Sequence, residues 1–307
     1  MLRIENISKS YGRRQPPAIV DVDFEVNDGE VVGFVGLNGA GKTTTIRVAV
    51  GVSLPTRGSV KVDGKDIVSA KADASKQVGW VPEIPNFEPN AKGLGLMKYF
   101  CGFYDIPSST ATARSNELLA SVGLEGAEQK KFGAYSQGMK KRFSLAVSLI
   151  SNPQNYLFDE ILNGLDPAGI QYFRNMVLSL RKEGRAILLS SHILAEVQAM
   201  ADRVVFIHKG RVIRVARMSE VSSLGVSVVD ITIQNLDDAA LAYLGTVGDV
   251  SVDGQTVRLS AARSEASDIN AELAKRGYRV SQLVQEKTGL EEIFFKLIGE
   301  AEGGSHG

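Results

Sequence analysis

The sequence holds a single cysteine, Cys101, among 307 residues. That excludes an intramolecular disulfide and fits a reducing compartment. It has no surplus of either charge, because 35 Lys and Arg balance 35 Asp and Glu. A nucleic-acid binder relying on bulk positive charge is therefore disfavoured. No uninterrupted apolar run approaches the ~18 residues of a membrane span. Residues 1–6, Met-Leu-Arg-Ile-Glu-Asn, contain no apolar signal core. The expectation is a chain soluble by itself, with any membrane part supplied by another subunit. Long repeats are absent too. Hydrophobic residues make up 44% of the chain, enough at this length for two domains, each with its own core.

What is present is more specific. Residues 36–43 read Gly-Leu-Asn-Gly-Ala-Gly-Lys-Thr, which satisfies G-x-x-x-x-G-K-[ST] at every position. An apolar strand, residues 30–35, precedes the loop, and a helix start, residues 44–50, follows it. Glycines let backbone N–H groups curl around an anion, and the helix N-terminus adds partial positive charge. Lys42 has the reach for β- and γ-phosphates, and the Thr43 hydroxyl suits Mg²⁺. The chain is thus expected to bind a nucleoside triphosphate, and no second such loop occurs.

Around this loop, residues 2–7, 20–26, 31–35, 58–62 and 78–81 read as strands. From about 90 to 150 the pattern turns helical, with apolar residues at helical spacing over 115–122 and 140–150. A short apolar strand, 155–158, ends in Asp159-Glu160. A helix over 170–181, a buried strand over 185–190, a helix over 193–199 and a hairpin across Lys209-Gly210 complete a unit spanning 1–215. Strands alternating with helices imply a largely parallel α/β core, with 90–150 as a helical insertion. Residues 216–225 read as a linker. Residues 226–300 then give strand 226–234, helix 237–244, a hairpin over Asp253-Gly254, helix 264–276, strand 278–284 and helix 290–298. Thr288 and Glu291 have capping-box spacing before the last helix. This β-α-β-β-α-β series followed by a helix predicts a small α+β, ferredoxin-like domain. Residues 301–307 are expected to be a disordered tail.

The acidic pair Asp159-Glu160 gains meaning from the upstream loop. Asp159 suits Mg²⁺, directly or through water, and Glu160 suits polarising a water against the γ-phosphate. With both in place, the chain resembles the ATP-binding subunit of an ABC transporter, over residues 1 to about 215. Residues 36–43 correspond to Walker A and residues 155–159 to Walker B. Tyr135-Ser136-Gln137-Gly138-Met139 stands where the family carries its signature LSGGQ. Gly164-Leu165-Asp166-Pro167 resembles the D-loop, and Ser190-Ser191-His192 carries the switch histidine.

Two motifs depart from the family pattern. The signature keeps Ser136 and Gly138 but has Gln137 for its second glycine and Met139 for its final glutamine. Such variants resemble those of exporters of drugs, lipids or polysaccharides. Val78-Gly79-Trp80-Val81-Pro82-Glu83 matches the surroundings of the Q-loop, yet its glutamine is Glu83.

The resemblance implies an α/β P-loop NTPase core of ABC type with an antiparallel β subdomain. It makes Glu160, His192 and Lys42 the candidate catalytic residues. The candidate nucleotide contacts are Tyr11, stacking on adenine, Gly36, Asn38, Gly39, Ala40, Gly41, Lys42, Thr43 and Thr44. Ser136, Gly138 and Asp166 would act across a dimer. Thr43, Asp159 and Glu83 are the candidate Mg²⁺ ligands. The implied cofactors are ATP and Mg²⁺. The implied partners are an integral membrane permease and a second ATPase subunit, most simply a second copy. No nucleic acid and no direct membrane insertion are expected, and the place of work is the cytoplasmic face of a membrane. The ending Gly-Leu-Glu-Glu-Ile-Phe-Phe-Lys-Leu, residues 289–297, resembles exporter tails, while its stripe of Leu290, Ile293, Phe294 and Leu297 reads as core packing. The competing readings are a soluble ABC ATPase acting on ribosomes or DNA and an ATP-binding scaffold without hydrolysis.

Overall fold

A computed structural model describes residues 1–12, 14–224, 227–260, 266–287 and 290–303. It separates into two compact units, Met1–Arg217 and Met218–Gly307.

The first unit contains two sheets. Strands β1 (Leu2–Lys9), β2 (Ile19–Val26), β4 (Arg57–Val62) and β5 (Lys65–Asp66) form an antiparallel sheet in the order β2-β1-β4-β5. Strands β3 (Val31–Val35), β6 (Val78–Val81), β7 (Asn155–Asp159), β8 (Ala186–Ser190), β9 (Arg203–His208) and β10 (Arg211–Arg217) form the second, ordered β10-β9-β3-β8-β7-β6. Every pair in it is parallel except the β9–β10 hairpin.

The interiors of the central strands are apolar because both their faces are buried, with polar residues only at the ends of β7 and β8. In β7, Tyr156 and Phe158 join one core cluster and Leu157 the other. In β8, Ile187 and Leu189 oppose Ala186 and Leu188 in the same way. One cluster lies between the two sheets and takes in Ile46, Val48 and Ala49 of helix α1 (Lys42–Ala49). The other lies under the helices that follow β6. A short α2 (Lys71–Ser75) precedes β6. Between β6 and β7 run α3 (Gly93–Gly102), α4 (Ser108–Ser121) and α5 (Gln137–Ser148). Here Phe87 packs edge to face on Phe132 and Phe143, both at 5.2 Å between centroids, and those two rings lie tilted against each other at 5.4 Å. Helices α6 (Pro167–Lys182) and α7 (Leu194–Met200) complete the layer, with Phe173 and Val177 of α6 fully buried.

The second unit begins with α8 (Met218–Leu224). The expected linker over 216–225 is therefore corrected: β10 runs to Arg217 and α8 follows at once. Then come β11 (Ser227–Gln234), α9 (Asp238–Val247), β12 (Asp249–Asp253), β13 (Thr256–Ser260), α10 (Ala266–Lys275), β14 (Arg279–Lys287) and α11 (Leu290–Gly303). The sheet order is β12-β13-β11-β14, with every neighbouring pair antiparallel. Strand β13 thus inserts between β11 and β12, the split β-α-β arrangement of ferredoxin-like folds. Val229, Ile231 and Ile233 of β11 face Leu244 of α9 and Ile269 and Leu273 of α10 in one apolar core. Asp237 caps α9, accepting from Ala240 N at 2.9 Å.

Helix α11 continues to Gly303, which corrects the tail expected from 301. Leu290, Ile293, Phe294 and Ile298 are buried on it, and Leu297 is half-buried. The capping box expected at Thr288, the start of helix 264–276 and residues 304–307 lie outside the described residues.

Candidate functional site

In an open parallel sheet, loops leaving the C-terminal strand ends shape the ligand site. Three adjacent strands, β3, β8 and β7, deliver their loops to one such edge here. In register, Phe34 pairs with Ser190 and Ser190 with Asp159.

After β3 the chain turns through residues 36–41 into α1. Gly41 takes φ 110°, and a Cβ there would lie 2.6 Å from Ile19 Cγ2; at Gly36 it would lie 2.5 Å from the Ile207 carbonyl oxygen. Glycine is thus required at both positions. Gly41 leads straight into the first turn of α1, whose free N–H groups form an anion cradle. Lys42, 5% exposed, bends back over the loop, and its Nζ donates to the Gly36 carbonyl at 2.6 Å and the Leu37 carbonyl at 3.2 Å. The same Nζ lies 3.2 Å from Glu160 Oε1.

After β7, Asp159 is 1% exposed. Its Oδ1 accepts from Ser190 Oγ at 2.8 Å and from Thr43 Oγ1 at 3.3 Å. Burial pushes its carboxyl above the ordinary 3.8; the two hydroxyls oppose the shift, and the charges of Glu83 and Glu160 add to it. Glu160 stands at φ 48°, a left-handed conformation uncommon outside glycine and asparagine. Its N–H points at both Ser190 O (3.2 Å) and Ser190 Oγ (3.1 Å). Its Oε2 lies 2.9 Å from His192 Nδ1 and accepts from Asn163 Nδ2 at 3.4 Å. His192 comes from the loop after β8 and is half exposed.

Lys42, Thr43, Glu160, Asn163 and His192 border a cavity of about 390 Å³, which also takes in Asn38, Gly39, Thr44 and Glu83 on its walls; Asp159 is not on the wall but bonds to Thr43, which is. A buried cation, a strained carboxylate held by an imidazole, a hydroxyl joined to a second carboxylate and a Gly-rich anion cradle thus converge on one space. That combination suits a polyphosphate and an activated water.

The sequence model of the ABC transporter family matches residues 19–163. The lantibiotic transport ATP-binding protein SrtF of Streptococcus pyogenes is 36% identical over 213 residues, covering 69% of this chain and 89% of that protein. The bacitracin transport ATP-binding protein BcrA of Enterococcus faecalis is 28% identical over 97% of this chain and 96% of its own length. A solved ATP-binding subunit of an ABC transporter superposes with a TM-score of 0.67 at 28% identity, over 73% of this chain and 92% of that one. The chain belongs to the ATP-binding subunits of ABC transporters. It is an ATPase, with an ABC-type nucleotide-binding unit followed by a smaller α+β unit.

Some sequence candidates of this ABC ATPase lie off the cavity. Ser136 is exposed at the start of α5, where its Oγ accepts from Met139 N at 3.2 Å. Gly138 follows in the first turn. Asp166 caps α6, accepting from Gly169 N at 3.0 Å and Arg142 Nη2 at 3.1 Å, with Pro167 at the favoured first helical position. Tyr11 is 56% exposed, with Lys9 Nζ 5.2 Å from its ring centroid. None of these four residues, nor Gly36, Asp159 and the buried Ala40, belongs to the cavity wall.

Conversely, sequence reading gave no part to Asn163, Ser190 or Lys141. Asn163 was findable as the polar residue between the acidic pair and Gly164. Ser190 ends an apolar strand next to the switch histidine, and its two-sided bonding shows only in the pairing of β7 with β8. Lys141 stands in a Lys-Lys-Arg run, residues 140–142, and yet is only 7% exposed.

Proposed function

We propose that this chain powers export of a substrate across a membrane through a separate transmembrane subunit, as one half of an ATP-bridged dimer. The observation carrying this reading is the split of the site. Lys42, Thr43, Glu160 and His192 gather at one cavity, while Ser136 and Gly138 present a capped, outward-facing helix N-terminus elsewhere. Such an end is suited to an anion supplied from outside the chain. A second copy placed head to tail would set its Ser136 and Gly138 against the nucleotide held by Lys42, making two complete sites per pair.

Mg²⁺ suits this donor set. Among the described residues no cluster of three or more His, Cys, Asp or Glu is arranged to bind a metal by itself. Mg²⁺ is ordinarily held by one or two carboxylates with substrate phosphates and water. Thr43 and Asp159, already in contact, would hold it, with Glu83 on the same cavity wall; it would neutralise charge on the phosphates. Glu160 is the group to take a proton from the attacking water, and His192 holds its carboxylate in place. Tyr11 is exposed and free to stack on adenine.

Among the described residues no helix is long and apolar enough to cross a membrane. The membrane path would therefore come from a permease, with this chain docked at its cytoplasmic face. The relatives named for transport of bacitracin and of a lantibiotic support a transport role for this chain. Purification from solubilised native membranes, followed by mass spectrometry, tests the reading. A near-stoichiometric polytopic membrane protein is the expected partner. Ribosomal or chromosomal proteins in its place would overturn the transporter reading.

A further inference from the structure

Among the described residues, the interior of the first unit holds one charged group that the proposed chemistry does not use. Lys141 lies on α5, 7% exposed, and its Nζ donates to the carbonyls of Glu160 at 2.7 Å and Ile161 at 3.1 Å. Both hydrogen bonds run to backbone, not to a carboxylate. Burial pulls its ammonium below the usual lysine range, opposed by the nearby charges of Glu83, Glu160 and Asp159. Burying an ammonium is costly, and a methionine of similar length would fill the space without that cost.

The two carbonyls belong to the left-handed turn that aims Glu160. Backbone in such a conformation persists only where its surroundings over-determine it. On one side the N–H of Glu160 is held by Ser190. On the other, its carbonyl takes Lys141 at 2.7 Å and the Asn163 N–H at a longer 3.3 Å. The next residue of α5, Arg142, reaches Asp166 at 3.1 Å. The first two turns of α5 thus tie its Ser136 end to the catalytic turn and to the cap of α6.

We propose that Lys141 is a positioning residue for ATP hydrolysis, fixing the backbone of Glu160 and coupling its carboxylate to the helix end that bears Ser136 and Gly138. The proposal rests on the reading of Glu160 as the group that activates water. Its consequence is that engagement of the α5 N-terminus is felt at the same chain's own carboxylate through one rigid helix and one ammonium.

The test compares the full-length wild type with Lys141→Met, Lys141→Arg and Glu160→Gln. The readouts are steady-state Mg-ATP hydrolysis, binding of a fluorescent ATP analogue and thermal unfolding. Lys141→Met is expected to lose kcat by about 10²-fold, the scale of an ångström-sized misplacement of a catalytic group. Analogue affinity should stay within twofold. Lys141→Arg keeps donors for both carbonyls and is expected to recover most of kcat. It also keeps the question open to refutation if the methionine variant does not fold, since a folded arginine variant with kcat as low as Glu160→Gln would sink the proposal.

Adding Lys141→Met to Glu160→Gln should cost nothing more, because the lysine acts through the carboxylate. Wild-type kcat in Lys141→Met, or a full further loss in the double variant, would overturn the proposal. Undiminished hydrolysis in Glu160→Gln would instead overturn the reading of Glu160, and that single variant reports it separately.

Discussion

The two units of this chain bury different things. In the first, Lys42, Lys141, Asp159 and Glu160 are all under 9% exposed, and Ser190 and Ser191 lie beside them. In the second, every buried side chain among the described residues is apolar. Its ion pairs lie toward the surface, as in Arg276 with Glu272 at 3.0 Å. Buried charge destabilises unless it is well paired, so a fold selected for stability alone would avoid it. The first unit concentrates four such groups, one of them a left-handed glutamate, at one sheet edge. That cost marks where chemistry is done. The second unit, with a clean core of Val229, Ile231, Ile233 and Leu273, is built to hold a shape.

The sharpest way to break this contrast is Glu160→Gln. The amide keeps the shape and removes the base. ATP hydrolysis, followed by phosphate release, should fall by about 10²–10⁴-fold. Nucleotide binding, followed by fluorescence, should persist. Turnover near wild type would remove Glu160 from its role, and with it the reason for burying a strained carboxylate there.

A matching cut in the other unit is Ile231→Ala. Ile231 is fully buried at the centre of β11. Its truncation should cost about 2–5 kcal/mol, through lost transfer energy and the cavity left behind. Calorimetry should show the loss in the transition of the second unit, while kcat and KM for ATP, assayed below that transition, stay as in wild type. A fall in kcat would mean that the shape of the second unit is read by the first.

The same contrast explains what could be read from the sequence. Walker A was legible because its glycines, lysine and threonine are contiguous and their steric demands, as at Gly41 against Ile19, are local. The strands β3, β7 and β8 were legible as unbroken apolar runs. The β-α-β-β-α-β series of the second unit followed from its periodicities and the Asp253-Gly254 turn. Not legible was anything set by register or by a partner distant in sequence. Ser190 serves Asp159 and Glu160 only because β7 and β8 pair in one register, 31 residues apart. Lys141 reaches Glu160 only because α5 lies where it does. The linker over 216–225 was misread because Ala-Arg-Met-Ser-Glu breaks the strand rhythm, although Arg217 still pairs with Arg203 and α8 starts at the next residue.

The smallest expected effect runs opposite to the others, and so tests the cost itself. Asp159→Asn keeps an oxygen for the Ser190 and Thr43 hydroxyls while removing a charge that burial and two neighbouring carboxylates disfavour. The variant should lose hydrolysis and gain stability, as expected where a site is held at the expense of the fold. The pH dependence fixes the sign. Because the folded pKa of Asp159 lies above its ordinary 3.8, the folded chain holds this proton more tightly than the unfolded one. Its contribution to stability is therefore full below 3.8 and is lost as pH rises through the folded value. The asparagine has no such dependence. Its advantage in melting temperature, read as a difference between the two proteins, should be largest at neutral pH and shrink as pH falls toward 3.8. An advantage that is absent at neutral pH, or that grows on acidification, would mean that Asp159 is comfortable where it lies, and the contrast between the two units would lose its clearest mark.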